Sequence, residues 1–315
     1  MKLTSLQLQE YEYLPPDLLS SFAKSYARSF PEFSLDSNSL IGFLNRKFPT
    51  IGSKGLHNIA VLANEEGVVA SGYGIVRNYY SHQNQDFNVG LVCDVFTDAN
   101  FRKMGLFKKV SLLAIAREEL TDTKFLIGFP IREEVMPGHL SVGWRYLFDM
   151  PLWWAYPRLG STKNIQKNPT LSSTLFKLQS EKFAIKPTTD FLKWRYSFFG
   201  CEYYLIVVSD SEDFALVRKS KLKGLPFTCI VFMQSSSKEN SRVLIRKVRN
   251  LSLRLRTFGV VGCWNNGYAT ELFLYSSGLK KSSKVQKVIV RELNGFTCPN
   301  EEDAYRLSWM DSDTL

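Results

Sequence analysis

Apolar residues return along this chain at two spacings, and the switches between them mark its elements. In PPDLLSSFAKSYARSF they recur every three or four positions, which predicts a helix. HNIAVLA and VVASGYGIV predict two strands, joined by the acidic turn from Asn64 to Gly67. A third strand, VGLVCDVF, ends at Thr97-Asp98-Ala99-Asn100, whose short polar side chains favour a turn and cap a following helix. LFKKVSLLAIAREEL predicts that helix, with Leu106, Val110, Leu113 and Ile115 inward and its basic residues outward. The strand FLIGFP follows, then a helix from Met136 towards Gly143 with Pro137 near its start, then the strand RYLFDMPLWWA.

Gly160 to Thr174, rich in Ser, Thr, Asn and Lys, reads as a linker, and beyond it the pattern repeats. Phe43-Leu44-x-x-Lys47-Phe48 compares with Phe191-Leu192-x-x-Arg195-Tyr196. Each precedes an apolar strand (NIAVLA; YYLIVV), an acidic turn (NEEG; DSED) and a second strand. Gly128 and Gly143 bracket a strand end and a helix, and so do Gly262 and Gly278. Two copies of one α+β fold account for this, residues 1–159 and 175–315 about a linker at 160–174.

Hydrophobic residues form 44% of the 315 and aromatics 14%, enough to bury real cores and too much for a disordered chain. No apolar run reaches the roughly 20 residues of a membrane span. MKLTSLQLQEYEY lacks the solid apolar block of a signal peptide, so the expectation is a cytosolic protein. The five cysteines are widely spaced, without a CxxC pair or a histidine at metal spacing, and are expected reduced. His57 and His82 have no metal-spaced partner, and neither Gly-x-Ser-x-Gly nor a Walker loop occurs, so no metal is expected.

Charge changes the picture more. Between Ala215 and Gly295 stand 16 Lys and Arg against three acids, while the rest of the chain holds 24 bases and 27 acids. The whole net charge of +10 therefore comes from the second half, which points to an anionic partner: a phosphorylated small molecule, a membrane surface or a nucleic acid. SRVLIRKVRNLSLRLRTFG predicts a helix there, with Arg242, Arg246, Arg249 and Arg256 on one face.

The stretch LVCDVFTDANFRKMGLF carries the chemistry. A strand ends, a tight turn holds Arg102 and Gly105, and a helix starts at once. The backbone N–H groups of Arg102, Lys103, Met104, Gly105, Leu106 and Phe107 therefore lie at a helix N-terminus. Unpaired amides and the helix dipole suit a diphosphate, and Arg102, Lys103, Lys108 and Lys109 add cations. This stretch resembles the pyrophosphate loop of the GNAT N-acetyltransferase superfamily: Arg or Gln, two residues, Gly, one residue, then Gly or Ala. Arg102 and Gly105 match it; Phe107 takes the small-residue place, and Lys103 stands where many members have glycine. PGHLSVGW and RYLFDMPLWW resemble the family's second conserved region. Gly128-Phe129-Pro130 and Leu192-Lys193-Trp194-Arg195-Tyr196 resemble a bacterial subset with two GNAT domains, linked to surface polysaccharide or other envelope chemistry. That subset usually has Asn where this chain has Ile131.

The resemblance implies a mixed, mostly antiparallel sheet flanked by helices, in two tandem modules. It implies acetyl-CoA as co-substrate and transfer of an acetyl or other short acyl group to an acceptor amine. Amides near Cys93, Val95 and Phe96 would hold the acyl carbonyl. The acid would lie four residues before Gly143, at His139, a residue that can also act as base or simply pack. Asp94 is the candidate base or amine anchor, with Glu133 and Glu134 as substitutes. Trp153, Trp154 and Tyr156 stack on a sugar or fill a core. SSSKENS replaces Arg-x-x-Gly in the second copy, so one coenzyme A site per chain is expected. The basic half points to an anionic small-molecule acceptor, such as a nucleotide-linked or lipid-linked amino sugar; peripheral membrane contact is compatible with it, and nucleic acid is not the expected partner. The alternative is a GNAT-derived protein without catalysis that holds an anionic polymer or membrane surface.

Overall fold

The computed structural model describes residues 14–31, 36–48, 57–176, 181–196, 202–209, 211–222 and 224–312. Helix α1 (Pro16–Ser29) opens on a proline, which needs no amide partner in a first turn. Helix α2 (Ser37–Lys47), absent from the sequence expectation, is capped by Asp36, whose carboxylate accepts from the Ser39 N–H. Strands β1 (His57–Ala63), β2 (Val69–His82) and β3 (Gln85–Thr97) form an antiparallel meander. β2 and β3 run past the expected strands into a hairpin arm, closed by Gln83 and Asn84 at positive φ. Then come α3 (Leu106–Glu119), β4 (Phe125–Gly128), α4 (Met136–Leu140) and β5 (Arg145–Ala155).

The segment expected as a linker carries a short strand, β6 (Ile165–Lys167). β7 (Phe183–Lys186) and α5 (Thr189–Tyr196) follow, then the meander β8 (Tyr203–Val207), β9 (Phe214–Leu222) and β10 (Leu225–Gln234). Helix α6 (Lys238–Arg254), β11 (Val260–Cys263), α7 (Asn266–Glu271), α8 (Leu274–Ser277), β12 (Lys280–Glu292) and β13 (Tyr305–Arg306) complete the chain. Arg256 lies past the end of α6 at a φ of 53°, so the expected arginine face keeps only Arg242, Arg246 and Arg249.

All thirteen strands join one sheet, mixed and mostly antiparallel, and its order shows how the two halves are related. The centre reads β2-β3-β4-β12-β5-β11-β10-β9. It is the same from either end once first-half strands are exchanged for their second-half counterparts. β3 is parallel to β4 as β10 is to β11, with α3 and α6 as the crossovers. The last strand of each half has crossed to the other: β12 pairs with β4, Ile289 opposite Gly128, and β5 pairs with β11, Trp153 opposite Gly262. Gly143 and Gly278 both take positive φ just beyond α4 and α8, where a side chain would be strained.

One core runs along one face of the sheet, from Phe22 and Phe48 under α1 and α2 to Phe214 and Phe232 in the second half. Two smaller cores lie opposite, one joining Val110 and Ile115 of α3 to Tyr73 and Trp144, the other joining Leu244 and Val248 of α6 to Trp264 and Tyr268. Cys93, Cys229, Cys263 and Cys298 are buried thiols, not in disulfides; Cys201 lies outside the described residues. Among the described residues, no helix is long and apolar enough to cross a membrane.

Candidate functional site

The site begins where β3 and β4 part. Their parallel ladder ends at Val92 opposite Gly128, the last register pair between the two strands, while β3 runs on to Thr97. Within the β2–β3 pairing, Gly74 faces Cys93 and Gly72 faces Phe96, so Asp94 and Val95 together oppose Tyr73 in a bulge. Asp94 takes a φ of 50°, a conformation Asp tolerates better than most residues. Gly72 and Gly74 are needed because the rings of Phe96, Phe22 and Phe48 lie where a Cβ would stand. The bulge lies just past the last β3–β4 register pair, Val92 with Gly128. The Phe96 side chain itself packs edge-on against Phe22 in the core.

β3 leads through a short 3-10 turn into α3. Asp98, capping that turn, accepts from the Asn100 N–H and pairs with Arg28 at 2.6 Å. Gly105 then occupies the N-cap of α3 at φ 72° and ψ 6°, with no side-chain cap and no acid in the first turn. Among the described residues no side chain caps the start of this 14-residue helix, and Arg102, Lys103, Lys108 and Lys109 are exposed beside it. Met104 is exposed and Leu106 buried. The Phe107 ring turns away from the loop, lying over Gly138 of α4 and edge-on to His139 at 5.1 Å. The bulky residue in the small-residue place thus fills the α3–α4 contact rather than covering the amides.

The second half has the same frame and a different end. β10 bulges at Val231, three residues before its end, as β3 does at Asp94. At the start of α6, however, Ser237 caps the helix and accepts from the Asn240 N–H. The buried Asp213 carboxylate accepts three bonds, from the Ser236 N–H at 2.9 Å, the Ser236 hydroxyl at 2.8 Å and the Asn240 side-chain amide at 2.6 Å. Glu239 lies in the first turn. One helix N-terminus is open and flanked by cations; the other already holds a carboxylate.

Asp94 and His139, the expected chemical residues, stand apart from each other. Asp94 accepts from the Tyr26 hydroxyl at 2.7 Å and pairs with Lys47 at 2.6 Å, the two charged side chains 6% and 4% exposed. It binds the bulge to α1 and α2. His139 lies with α4 on the other face, buried among Phe107, Trp144 and Tyr73. Burial alone pushes its imidazole down to about 4, so it is neutral at pH 7 and is not an imidazolium acid there. Among the described residues its Nδ1 is buried without a hydrogen-bond partner. Glu133 is exposed and lies 3.6 Å from Lys287 of β12, and Glu134 is exposed. Trp153 is fully buried, Trp154 partly so, and Tyr156 is exposed.

Sequence reasoning missed Lys47, Tyr26, Tyr146 and Lys287. Lys47 was within reach, because it occupies the repeated Phe-Leu-x-x-base-aromatic pattern whose second copy holds the buried Arg195. Tyr146 and Lys287 line a recess of about 360 Å³ beside α4 and meet only because β12 crosses between β4 and β5. Burial, then the Asp149 charge, pushes the Tyr146 phenol up to about 12, so it stays protonated.

The buried imidazole predicts a pH dependence. Below 6.5 the unfolded chain binds a proton that folded His139 refuses until about pH 4, so its share of stability is lost as pH falls through that window. Asp311 runs the other way. Burial raises it from 3.8 to about 6 despite donors on Tyr80 and Ser308, so its share is present at low pH and lost as pH rises from 3.8 to 6. The difference in unfolding free energy between wild type and His139→Gln isolates the first effect. It is expected to grow with pH by up to about 1.4 kcal/mol per unit between pH 4 and 6.5, in urea titrations. A flat difference would show that water reaches the imidazole.

No family model and no curated protein matches the sequence. Solved structures do match. A GCN5-related N-acetyltransferase from Anabaena variabilis superposes with a TM-score of 0.65 at 11% identity, over 91% of this chain and 73% of that one. One from Kribbella flavida gives 0.60 at 11% identity, over 91% and 71%. The fold is that of the GCN5-related N-acetyltransferases. Saccharomyces cerevisiae N-myristoyltransferase, solved with bound myristoyl-CoA, gives 0.61 at 10% identity over 92% of this chain and 84% of that one. On this GNAT frame β3 and β4 are the two strands that part, and α3 follows the loop from Arg102 to Phe107.

Proposed function

We propose that this protein binds acyl-coenzyme A in its first half and transfers the acyl group to an acceptor amine. The contrast between the two helix starts carries the reading: α3 begins with uncapped amides among four cations, and α6 begins under Ser237 and Asp213. A diphosphate fits the first and is repelled by the second. Acyl-coenzyme A supplies an activated thioester. Amides at the bulge from Cys93 to Phe96 orient its carbonyl and stabilise the charge that develops on the oxygen. Asp94, with both oxygens engaged by Tyr26 and Lys47, positions the bulge rather than moving a proton. His139, neutral and enclosed, supports α4 against Phe107. Catalysis then rests mainly on holding amine and carbonyl together, which suits an amine that arrives unprotonated.

The acceptor is the finer part of the proposal. The basic second half favours an anionic one, and an amino sugar linked to a nucleotide or lipid combines amine and phosphate. The engaged Asp94 and neutral His139 favour a second reading, a GNAT fold that binds acyl-coenzyme A without turnover. Calorimetric titration with acetyl-CoA is expected to give micromolar, one-to-one binding. Thiol release with amino-sugar phosphates then separates enzyme from binder. No heat at millimolar ligand would overturn both readings, and two equivalent sites would overturn the assignment to α3 alone.

A further inference from the structure

The chain leaving β5 folds back onto α6 and closes a pocket of about 310 Å³. Its walls include Arg158 and Lys163 from the returning loop, Arg246 and Lys247 from α6, and no carboxylate. The Lys247 ammonium donates to the Val207 carbonyl at 2.9 Å. The side chains of Arg158, Lys163 and Arg246 make no hydrogen bond or ion pair with any described residue. A solvated basic helix face would look similar in sequence, yet this one is roofed. The Arg158 N–H donates to the Arg249 carbonyl at 3.1 Å, the Asn250 amide to the Ser161 carbonyl at 3.0 Å, and Arg254 to the Thr162 hydroxyl at 3.1 Å. These bonds fix the loop backbone over α6, so Arg158 and Lys163 line the same pocket as Arg246.

Like charges are also pressed together there. Arg249, next to the pocket, donates through Nε to the Tyr156 carbonyl, and burial followed by the nearby Arg158 charge holds its guanidinium below its ordinary value. Bringing guanidinium groups together without a carboxylate costs energy that a bound dianion returns.

We infer that the α6 pocket is a second ligand site, one that takes a phosphate monoester through Arg158, Lys163 and Arg246. It is separate from the gap between β3 and β4. Tyr146 is level with the end of β4, since Ile289 pairs with both Tyr146 and Gly128. The pocket begins beyond Ala155, roughly 30 Å of strand further on. The phosphate has two possible sources, a soluble ester or a lipid headgroup, and recognition of the phosphoryl group is the same in each.

The test uses the full chain and the Arg158→Ala/Arg246→Ala variant. Glycerol 3-phosphate is titrated by calorimetry, and flotation is run with phosphatidylcholine vesicles with and without phosphatidic acid. Each lost guanidinium is expected to weaken binding about tenfold or more. Both side chains are exposed, so the variant should melt as wild type does. Saturable binding of glycerol 3-phosphate, lost in the variant, supports a soluble ester. Flotation only with phosphatidic acid, lost in the variant, supports the headgroup. Acetyl-CoA affinity is expected unchanged in the variant, so the pocket and the α3 site stand or fall separately. The inference is overturned if neither probe binds, or if the variant binds both as wild type does.

Discussion

Gly105→Asp is expected to abolish binding of acetyl-CoA while leaving the protein folded. Gly105 is exposed, and a Cβ placed on it meets nothing within 4 Å, so the new side chain finds room. Its φ of 72° costs an L-residue about 1 kcal/mol, which a domain of this size survives. The carboxylate, in contrast, arrives at the uncapped amides of α3, where the diphosphate is assigned. It takes those donors and repels the ligand, and the loss should be on the order of 100-fold or more. Gly105→Ala carries the same backbone cost without the charge and should keep most of the affinity. Calorimetry on the two variants, with melting curves as the folding control, distinguishes charge from strain. Equal affinity in wild type and the aspartate variant would remove the α3 site.

Asp94→Asn is expected to act on stability before it acts on rate. Asparagine tolerates the positive φ, so the substitution removes charge without adding strain. Lys47 then stays 4% exposed beside a neutral amide, so loss of this buried ion pair is expected to lower stability measurably. Adding Lys47→Met removes the buried ammonium and should recover part of that loss. Urea unfolding of the two variants is the measurement. If Asp94→Asn unfolds as wild type does while turnover collapses, Asp94 is a proton-transfer residue, and the positioning role is wrong.

The elements around the site were legible because strand period, turn chemistry and glycine placement are local properties. Arg102 to Phe107 falls on the turn before a helix, and Gly128, Gly143, Gly262 and Gly278 fall at matching points of the two halves. Helix α2 escaped because Ser37-Asn38-Ser39 and Gly42 weaken its helical signal. The hairpin arm escaped because Arg77–His82 and Gln85–Asn88 are largely polar and close without a glycine. The exchange of β5 and β12 could not be read, since each strand pairs antiparallel in either arrangement and its pattern is unchanged. The state of the site residues was hidden for another reason. Sequence shows that Asp94 carries a carboxyl and His139 an imidazole, but burial and the arrival of Lys47 decide what either can do.

The crossing of β5 and β12 sets an order of events during synthesis. When residue 128 leaves the ribosome, the edge of β4 waits for its final neighbour until residues 280–292 appear, on the order of ten seconds later at ordinary elongation rates. Over that interval the nascent first half exposes an apolar four-residue edge, Phe125–Gly128, open to strands of other chains. β5, emerging soon after β4, can fill the place of β12 and must later give way. Each half, expressed without the other, would lack one strand of its own part of the sheet, β12 beside β4 or β5 beside β11.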